Sequence, residues 1–402
     1  MKRVHHWLLL CFLVILGACD HSSSSERIYT VLVSLDGFRW DYTELYQTPF
    51  LDKMAQRGVS AVMLPSYPAS TFPNHYTIAT GLTPNRNGLI NNTFWDSEFN
   101  QTYSMGDKST RYDPKFYLGE PIWVTAQQQG IKTASIYWVG SDVKIKGTYP
   151  DFYLKWDNTP RLNFEQRIDK AIELLSKSEA ERPQLIMLYM EEPDGKGHHF
   201  GPKSTEVEDE VRKLDKLMGY LMNRIATLPY SSRINLIVTS DHGMTDISND
   251  RFIDMNEYLK PEWCEVVSGR TPTSIFTKPE FRETVYQSLK KAPHIHVWKK
   301  EDIPSELAYG SSHRIGDIVV APELGWQFSN QPRNQKGAHG YFPSDKDMQV
   351  MFRAYGPSFK ENYIHTDFVN TDIYVLLCNI LNIKPANTEG IFNRVEGILA
   401  NN

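Results

Sequence analysis

Three short apolar runs, each leading to an aspartate, constrain this chain more than any other feature. Tyr29 to Leu35 (YTVLVSL) ends at Asp36-Gly37. Leu185 to Met190 (LIMLYM) leads through Glu191-Glu192-Pro193 to Asp194. Arg233 to Ser240 runs into Asp241-His242-Gly243. Short, mainly apolar runs of this kind suit strands buried on both faces, as in a parallel sheet. Helix-period stripes lie between them: Leu51, Met54 and Ala55 after Thr48-Pro49; Phe164, Ile168, Ile172 and Leu175; then Val207, Val211, Leu214, Met218 and Leu221. Strand and helix in alternation predict an α/β fold, a mostly parallel sheet with helices on both faces. Ligands bind such sheets at the carboxyl ends of the strands. One aspartate there is an ordinary turn former, but three delivered to the same edge point to a site.

The remaining pattern fills in this frame. Val59 to Leu64, Thr133 to Trp138 and Asp347 to Ala354 read as strands, Pro121 to Gln129 and Thr371 to Ile380 as helices. From about 252 to 328 the alternation breaks. Phe281, Val285 and Leu289 predict a helix there and Asp317 to Ala321 a strand, together a smaller inserted α+β lobe. One catalytic domain over 28–402, carrying that lobe, is the expected organisation. The formal net charge of −5 supplies no basic field for a nucleic-acid polymer.

A second stretch carries a hydroxyl. Pro65 to Gly81 (PSYPASTFPNHYTIATG) holds Thr71 in a turn flanked by Pro68 and Pro73, before a helix-like run from His75 to Thr80 that stops at Gly81. Taken alone, Thr71 is a residue at the start of a helix. Beside the other clusters it is a candidate nucleophile. Asp194 and His198 stand four apart across Gly195 and Gly197, a spacing that predicts a tight loop. Asp241-His242 and Gly337-Ala338-His339-Gly340 add three further candidate ligands. Three Asp, three His and one hydroxyl suit two zinc ions, each with a coordination position left open. Two metals roughly 4 Å apart can clamp the attacking and leaving oxygens of a phosphoryl centre. A threonine hydroxyl needs such activation to attack.

As an ordered set, Asp36-Gly37, Thr71-Phe72-Pro73-Asn74-His75, Glu191-Glu192-Pro193-Asp194 with His198, Asp241-His242-Gly243-Met244 and His339-Gly340-Tyr341 resemble the nucleotide pyrophosphatase/phosphodiesterase family of the alkaline phosphatase superfamily. The resemblance runs from about Val31 to Leu381 and implies an alkaline-phosphatase-like core. It implies one zinc on Asp194, His198 and His339, and a second on Asp36, Asp241, His242 and Thr71. It further implies that Asn92 and the Phe72 N–H contact a phosphate oxygen, and that Phe72, Tyr189 and Trp156 hold a nucleobase. For these three rings, core packing is the alternative. The implied reaction releases nucleoside 5′-monophosphates from phosphodiester or phosphoanhydride bonds through a phosphothreonine intermediate. Asn87-Gly88 and Phe342-Pro343 depart from the family's frequent His-Gly and Asn at those places. They bear on substrate preference rather than on the ligands. Other activities on the same scaffold are a phospholipid-type phosphodiesterase and a phosphonate or phosphate monoester hydrolase. A non-catalytic lipid-anchored binding protein is the reading from another class.

The first residues read as a targeting segment. Lys2 and Arg3 precede Leu8 to Leu16, an apolar run too short to span a membrane. Leu16-Gly17-Ala18-Cys19 resembles a bacterial lipobox, which implies a signal peptide over 1–18, lipidated Cys19 as the first mature residue and a polar tether over 19–27. An ordinary secretory signal cleaved after Ala18 is the alternative. Asp20 suggests retention at the inner membrane, so the expected location is periplasmic and membrane-anchored. Cys264 and Cys378 have no spacing that makes a disulfide framework.

Overall fold

The computed structural model describes residues 27–400 apart from residue 333. The expectations for the signal peptide and for Cys19 fall outside the described residues. Among the described residues no helix is long and apolar enough to cross a membrane.

A nine-stranded sheet organises the chain. Its order is Tyr363–Ile364, Val59–Leu64, Val350–Tyr355, Ile234–Thr239, Tyr29–Leu35, Leu185–Met190, Thr133–Ile136 and Phe152–Leu154, with Phe368–Val369 also paired to Val59–Leu64. The strands are parallel except Val350–Tyr355, which runs antiparallel to both its neighbours. Tyr29–Leu35 lies at the centre, in register with Leu185–Met190 on one side (Ser34 opposite Tyr189) and Ile234–Thr239 on the other (Ser34 opposite Thr239). All three are buried along their whole length. Successive residues serve opposite faces. Leu32, Leu185 and Met187 join one core with the Thr71–Thr80, Ile122–Gln128 and Asp372–Ile380 helices. Val31, Val33, Ile186 and Leu188 join another with Pro49–Gln56, Phe164–Leu175 and Thr205–Ala226. This is the α/β architecture that the alternation predicts.

Local signals set the helix starts. Pro49 occupies the first turn after Thr48. Asn163 and Gln166 form a capping box, and the Ser204 side chain accepts from the Val207 N–H to open the 22-residue helix.

Three predicted elements differ. The helix expected from His75 begins at Thr71, because Pro73 lies in its first turn, where a missing N–H costs no helical bond. The Asn74 side chain staples the turn before it, donating to the Pro68 carbonyl at 2.8 Å and the Ser70 carbonyl at 2.9 Å, and accepting from the Ser66 N–H at 2.7 Å. The loop expected at Asp194–His198 is a helix, Asp194–Phe200. Its glycines serve packing: a Cβ on Gly195 would lie 3.0 Å from the Glu192 carboxylate and one on Gly197 3.1 Å from Met244. The strand expected from Asp347 begins at Val350, after a 3-10 turn at Lys346–Met348.

Between 264 and 322 the chain builds a four-stranded antiparallel sheet in the order Cys264–Gly269, Thr273–Thr277, Ile318–Pro322, Ile295–Lys299. The Arg282–Leu289 helix packs on it around a small core of Leu259, Ile275, Val285, Leu289, Ile318 and Val320. Buried Arg314 ties this region to the main body. It donates to Asp96 Oδ2 and to the Gly88 and Phe116 carbonyls, each at 2.7 Å.

Candidate active site

Adjacent strand ends deliver the acidic groups. Asp36 follows the central strand directly, Asp241 and His242 follow Ile234–Thr239, and Asp194 opens the helix after Leu185–Met190. The Asp194 N–H donates to the Asp36 carbonyl at 3.0 Å, which locks two of these ends together. Gly37 makes the approach feasible: its φ is +70°, and a Cβ there would lie 3.0 Å from Asp194 Cα. As a helix, Asp194–Phe200 places Asp194 and His198, four apart, on one face. His339 arrives on the segment after Gly337–Ala338, which pairs with Thr245–Asp246 just beyond His242.

Two groups of side chains result. Asp194, His198 and His339 offer ligand atoms within 4.8 Å of one another, and so do Asp36, Asp241 and His242. The groups abut, with the His242 and His339 rings stacked at 3.7 Å. Thr71 Oγ1 lies 3.1 Å from His242 Nε2. All seven predicted ligands therefore meet in one place.

The donor set fits cations. Asp36 Oδ1, Asp194 Oδ1 and Asp241 Oδ2 are buried with no hydrogen-bond partner, an unfavourable state for a carboxylate without a counter-charge. Each histidine has Nδ1 against a backbone carbonyl: His198 on Gly337 at 2.8 Å, His242 on Gly243 at 2.8 Å, His339 on Ala69 at 3.0 Å. A proton held there leaves Nε2 with its lone pair for a metal. Burial, then the neighbouring His242 and His198, pushes His339 well below the ordinary imidazole value, which keeps it neutral. Burial and the charges of Asp241 and Asp194 push Asp36 well above the usual carboxylate range. For Asp241 burial also works upward, but His242 and His75 outweigh it and hold the group below that range.

Two cavities flank the set. One, of about 340 Å³, is lined by Asp36, Thr71, Phe72, Tyr189, Trp156 and Asp194 among others. Tyr189 also reaches Asp36, one of the predicted ligands. Its hydroxyl donates to Asp36 Oδ2 at 2.5 Å, while its ring stands edge-on to His75 at 4.9 Å. Trp156 both lines this cavity and packs, edge-on to Tyr137 and beneath the Arg161 guanidinium at 4.2 Å. The other cavity, of about 470 Å³, holds Asn92, His198 and His339 in its wall. Asn92 Oδ1 accepts from the Phe72 N–H at 3.0 Å. The expected phosphate contact of that N–H is thus occupied here by Asn92, whose Nδ2 remains as a donor.

Residues 30–342 match the family model described as type I phosphodiesterase / nucleotide pyrophosphatase. The chain belongs to this family. Human ectonucleotide pyrophosphatase/phosphodiesterase family member 5 is 35% identical, across 94% of this chain and 79% of that protein. Human member 1 is 34% identical across 92% of this chain, and venom phosphodiesterase CdcPDE of Crotalus durissus collilineatus 34% identical across 96%. The match spans only 42% and 48% of those two proteins. Murine member 5, an inactive threonine-to-alanine variant in complex with AMP, superposes with a TM-score of 0.88 at 33% identity, covering 93% of this chain and 100% of that one. The core of this phosphodiesterase-family chain is thus alkaline-phosphatase-like, as the motifs imply.

Both departures from the family pattern sit in packing. Asn87 Nδ2 donates to Thr77 Oγ1 at 3.0 Å, and Phe342 stacks on Tyr67 at 5.6 Å. Sequence reasoning missed two supporting side chains. His75, four residues after Thr71 on its helix, bonds the Thr71 carbonyl and Ser34 Oγ, each at 2.9 Å, and faces Asp241 Oδ2 at 3.3 Å. Its i+4 spacing was the available signal. Gln335, with no signal, lies 2.6 Å from His198 Nδ1.

Proposed function

We propose that this protein is a two-zinc phosphodiesterase/pyrophosphatase that releases nucleoside 5′-monophosphates, with Thr71 as the nucleophile. One observation carries the reading: six buried or half-buried carboxylate and imidazole ligands converge around a single alcohol, Thr71 Oγ1, 3.1 Å from His242 Nε2. Asp194, His198 and His339 would hold one ion, and Asp36, Asp241, His242 and Thr71 the other. When bound, these ions supply the charge that lowers the pKa of the threonine hydroxyl and neutralises the phosphoryl oxygens.

The chain's own residues do the rest. Thr71 Oγ attacks phosphorus in line, forming a phosphothreonine ester as the bond to the leaving oxygen breaks. Water then cleaves that ester and restores the hydroxyl. Thr71 is the first residue of its helix, so helix N–H groups and the Asn92 Nδ2 donor favour the anionic phosphoryl group. Phe72, Tyr189 and Trp156 give the nucleobase an aromatic wall. The AMP held by the murine relative supports a nucleotide as the substrate class.

The test is metal analysis and product identification on purified protein, beside Thr71→Ala. The parent should carry two zinc ions and release AMP from ATP or NAD. The variant should keep the zinc and lose on the order of 10⁴-fold in turnover. Hydrolysis of diesters by Thr71→Ala at the parent rate removes Thr71 from the mechanism. Export and lipidation at Cys19 rest on the leader sequence alone. Metabolic labelling with palmitate should mark the parent and not Cys19→Ser.

A further inference from the structure

The two cavities beside the ligand set differ in charge. The aromatic one carries five carboxylates in its wall, of which Asp36 and Asp194 belong to the two ligand groups and Glu191 is paired with Arg167, leaving Asp142 and Glu192; its one cation, Arg111, is paired with Asp157 at 2.5 Å. The other, among the described residues that line it, carries no carboxylate. Its wall is polar, with Ser70, Asn91, Thr271, Gln327 and Gln335, and holds one cation, Arg270. No hydrogen bond or ion pair of the Arg270 guanidinium occurs among the described residues. A neutral nucleoside can enter the aromatic cavity, whereas a polyphosphate chain there would meet no unpaired cation and would face Asp142 and Glu192.

The Arg270 side chain is exposed, but the backbone that carries it is fixed. It stands at the tip of the hairpin formed by Cys264–Gly269 and Thr273–Thr277 in the inserted lobe. That tip is docked beside the ligands. Asn91 Nδ2 donates to the Pro272 carbonyl at 3.1 Å, and Gly340, directly after His339, has a φ of +100° and passes so close that a Cβ would lie 2.8 Å from the Thr271 carbonyl. The lobe thus brings an unpaired guanidinium to the cavity whose wall includes His198 and His339.

We propose that this second cavity is the leaving-group subsite and that Arg270 makes it selective for an anionic phosphate chain: the diphosphate end of a nucleoside triphosphate, or the phosphate-linked second half of a dinucleoside polyphosphate. The proposal rests on the diesterase reading above and assigns the substrate half which that reading leaves open. A guanidinium suits this role because it pairs with two phosphate oxygens at once.

Kinetics separate the two halves. ATP carries a diphosphate leaving group, whereas p-nitrophenyl thymidine 5′-monophosphate carries none. In Arg270→Ala the KM for ATP should rise roughly fivefold or more, and the inhibition constant of α,β-methylene-ATP should rise with it. The inhibition constant of AMP and the turnover of the nitrophenyl ester should change less than twofold. Arg270→Lys should recover part of the ATP effect, since it keeps the charge and loses the fork. Unchanged ATP parameters in Arg270→Ala, or equal losses on both substrates, overturn the subsite while leaving the diesterase reading intact. A parent protein that turns over neither substrate removes the diesterase reading, and the subsite with it.

Discussion

The two ligand groups are chemically alike and physically different. In Asp36, Asp241 and His242 the side chains are 3%, 0% and 0% exposed; in Asp194, His198 and His339 they are 19%, 29% and 11% exposed. The first group sits at the ends of two central strands, and the second on a short helix and a connecting segment at the cavity wall. A cation in the buried group would be held by rigid elements and shielded from water. One in the open group would exchange with solvent more readily. The division suits the proposed chemistry, because Thr71 joins the buried group while the leaving group and the incoming water need the open one.

Removing the metal should break the comparison most visibly. On dialysis against a chelator, activity should fall to background as the first zinc leaves, and the second should leave more slowly. Stoichiometry followed beside activity should pass through a one-zinc form, and thermal stability should drop mainly at the second loss, because binding to the folded state alone is stabilising. Simultaneous loss of both ions would mean that exposure does not govern retention.

Asp36→Asn and Asp194→Asn should next separate catalysis from stability. Each should cost on the order of 10³-fold in turnover. In the metal-free protein Asp36→Asn should stabilise the fold by about 1–2 kcal/mol, because it removes a buried charge beside Asp241 and Asp194. Asp194→Asn, at a side chain 19% exposed, should change metal-free stability less, by under about 0.5 kcal/mol. Urea denaturation of all three metal-free proteins reads the difference. A destabilised Asp36→Asn would refute the electrostatic picture of the buried group.

The same argument has a pH signature. The folded-state value of Asp36 lies above its unfolded value of 3.8, so its contribution to stability is fully present below 3.8 and declines as pH rises through the raised folded value. Asp241 is depressed, and its contribution is lost as pH falls below 3.8. In the metal-free protein the stability gap between Asp36→Asn and the parent should therefore widen as pH rises above 3.8, by up to about 1.4 kcal/mol per unit of difference between the folded and unfolded pKa values. Zinc should reverse this decline, because a bound cation favours the ionised carboxylate and is itself released as the ligands protonate. A gap that stays constant from pH 4 to 8 assigns the effect to packing.

How much of this was legible depends on which force shaped each part. Tyr29–Leu35 and Leu185–Met190 were readable to the residue, because a strand buried on both faces writes itself as a largely apolar run; Val59–Leu64 was equally readable although its alternate residues are only partly buried. The ligands after them were readable because the strand ends are where an α/β sheet presents side chains. The helix at Asp194–Phe200 was not, since Gly195 and Gly197 read locally as loop formers and are explained only by the close approach of Glu192 and Met244. The Thr93–Asp96 and Gln101–Ser104 hairpin was missed for want of length. Arg270 and Gln335 could not be found either, because their neighbours at the site come from segments remote in sequence, brought in by tertiary packing.

The smallest expected effect lies in the outer partners, and it tests whether the asymmetry of the two groups extends outward. Tyr189 donates to Asp36 in the buried group, and Gln335 approaches His198 in the open one. In Tyr189→Phe the ring and its contacts with His75 and Trp156 are retained while one buried carboxylate oxygen loses its donor. Turnover should fall about tenfold, with little change in the KM for nucleotides. In Gln335→Ala the loss should be smaller, because the Gly337 carbonyl already holds His198 Nδ1 at 2.8 Å. Zinc affinity of the open group should weaken by less than about tenfold and activity at saturating zinc should stay near the parent value. If Gln335→Ala proves the more damaging of the two, the open group depends on its outer partners more than the buried one does, and burial is not what fixes the ligands in place.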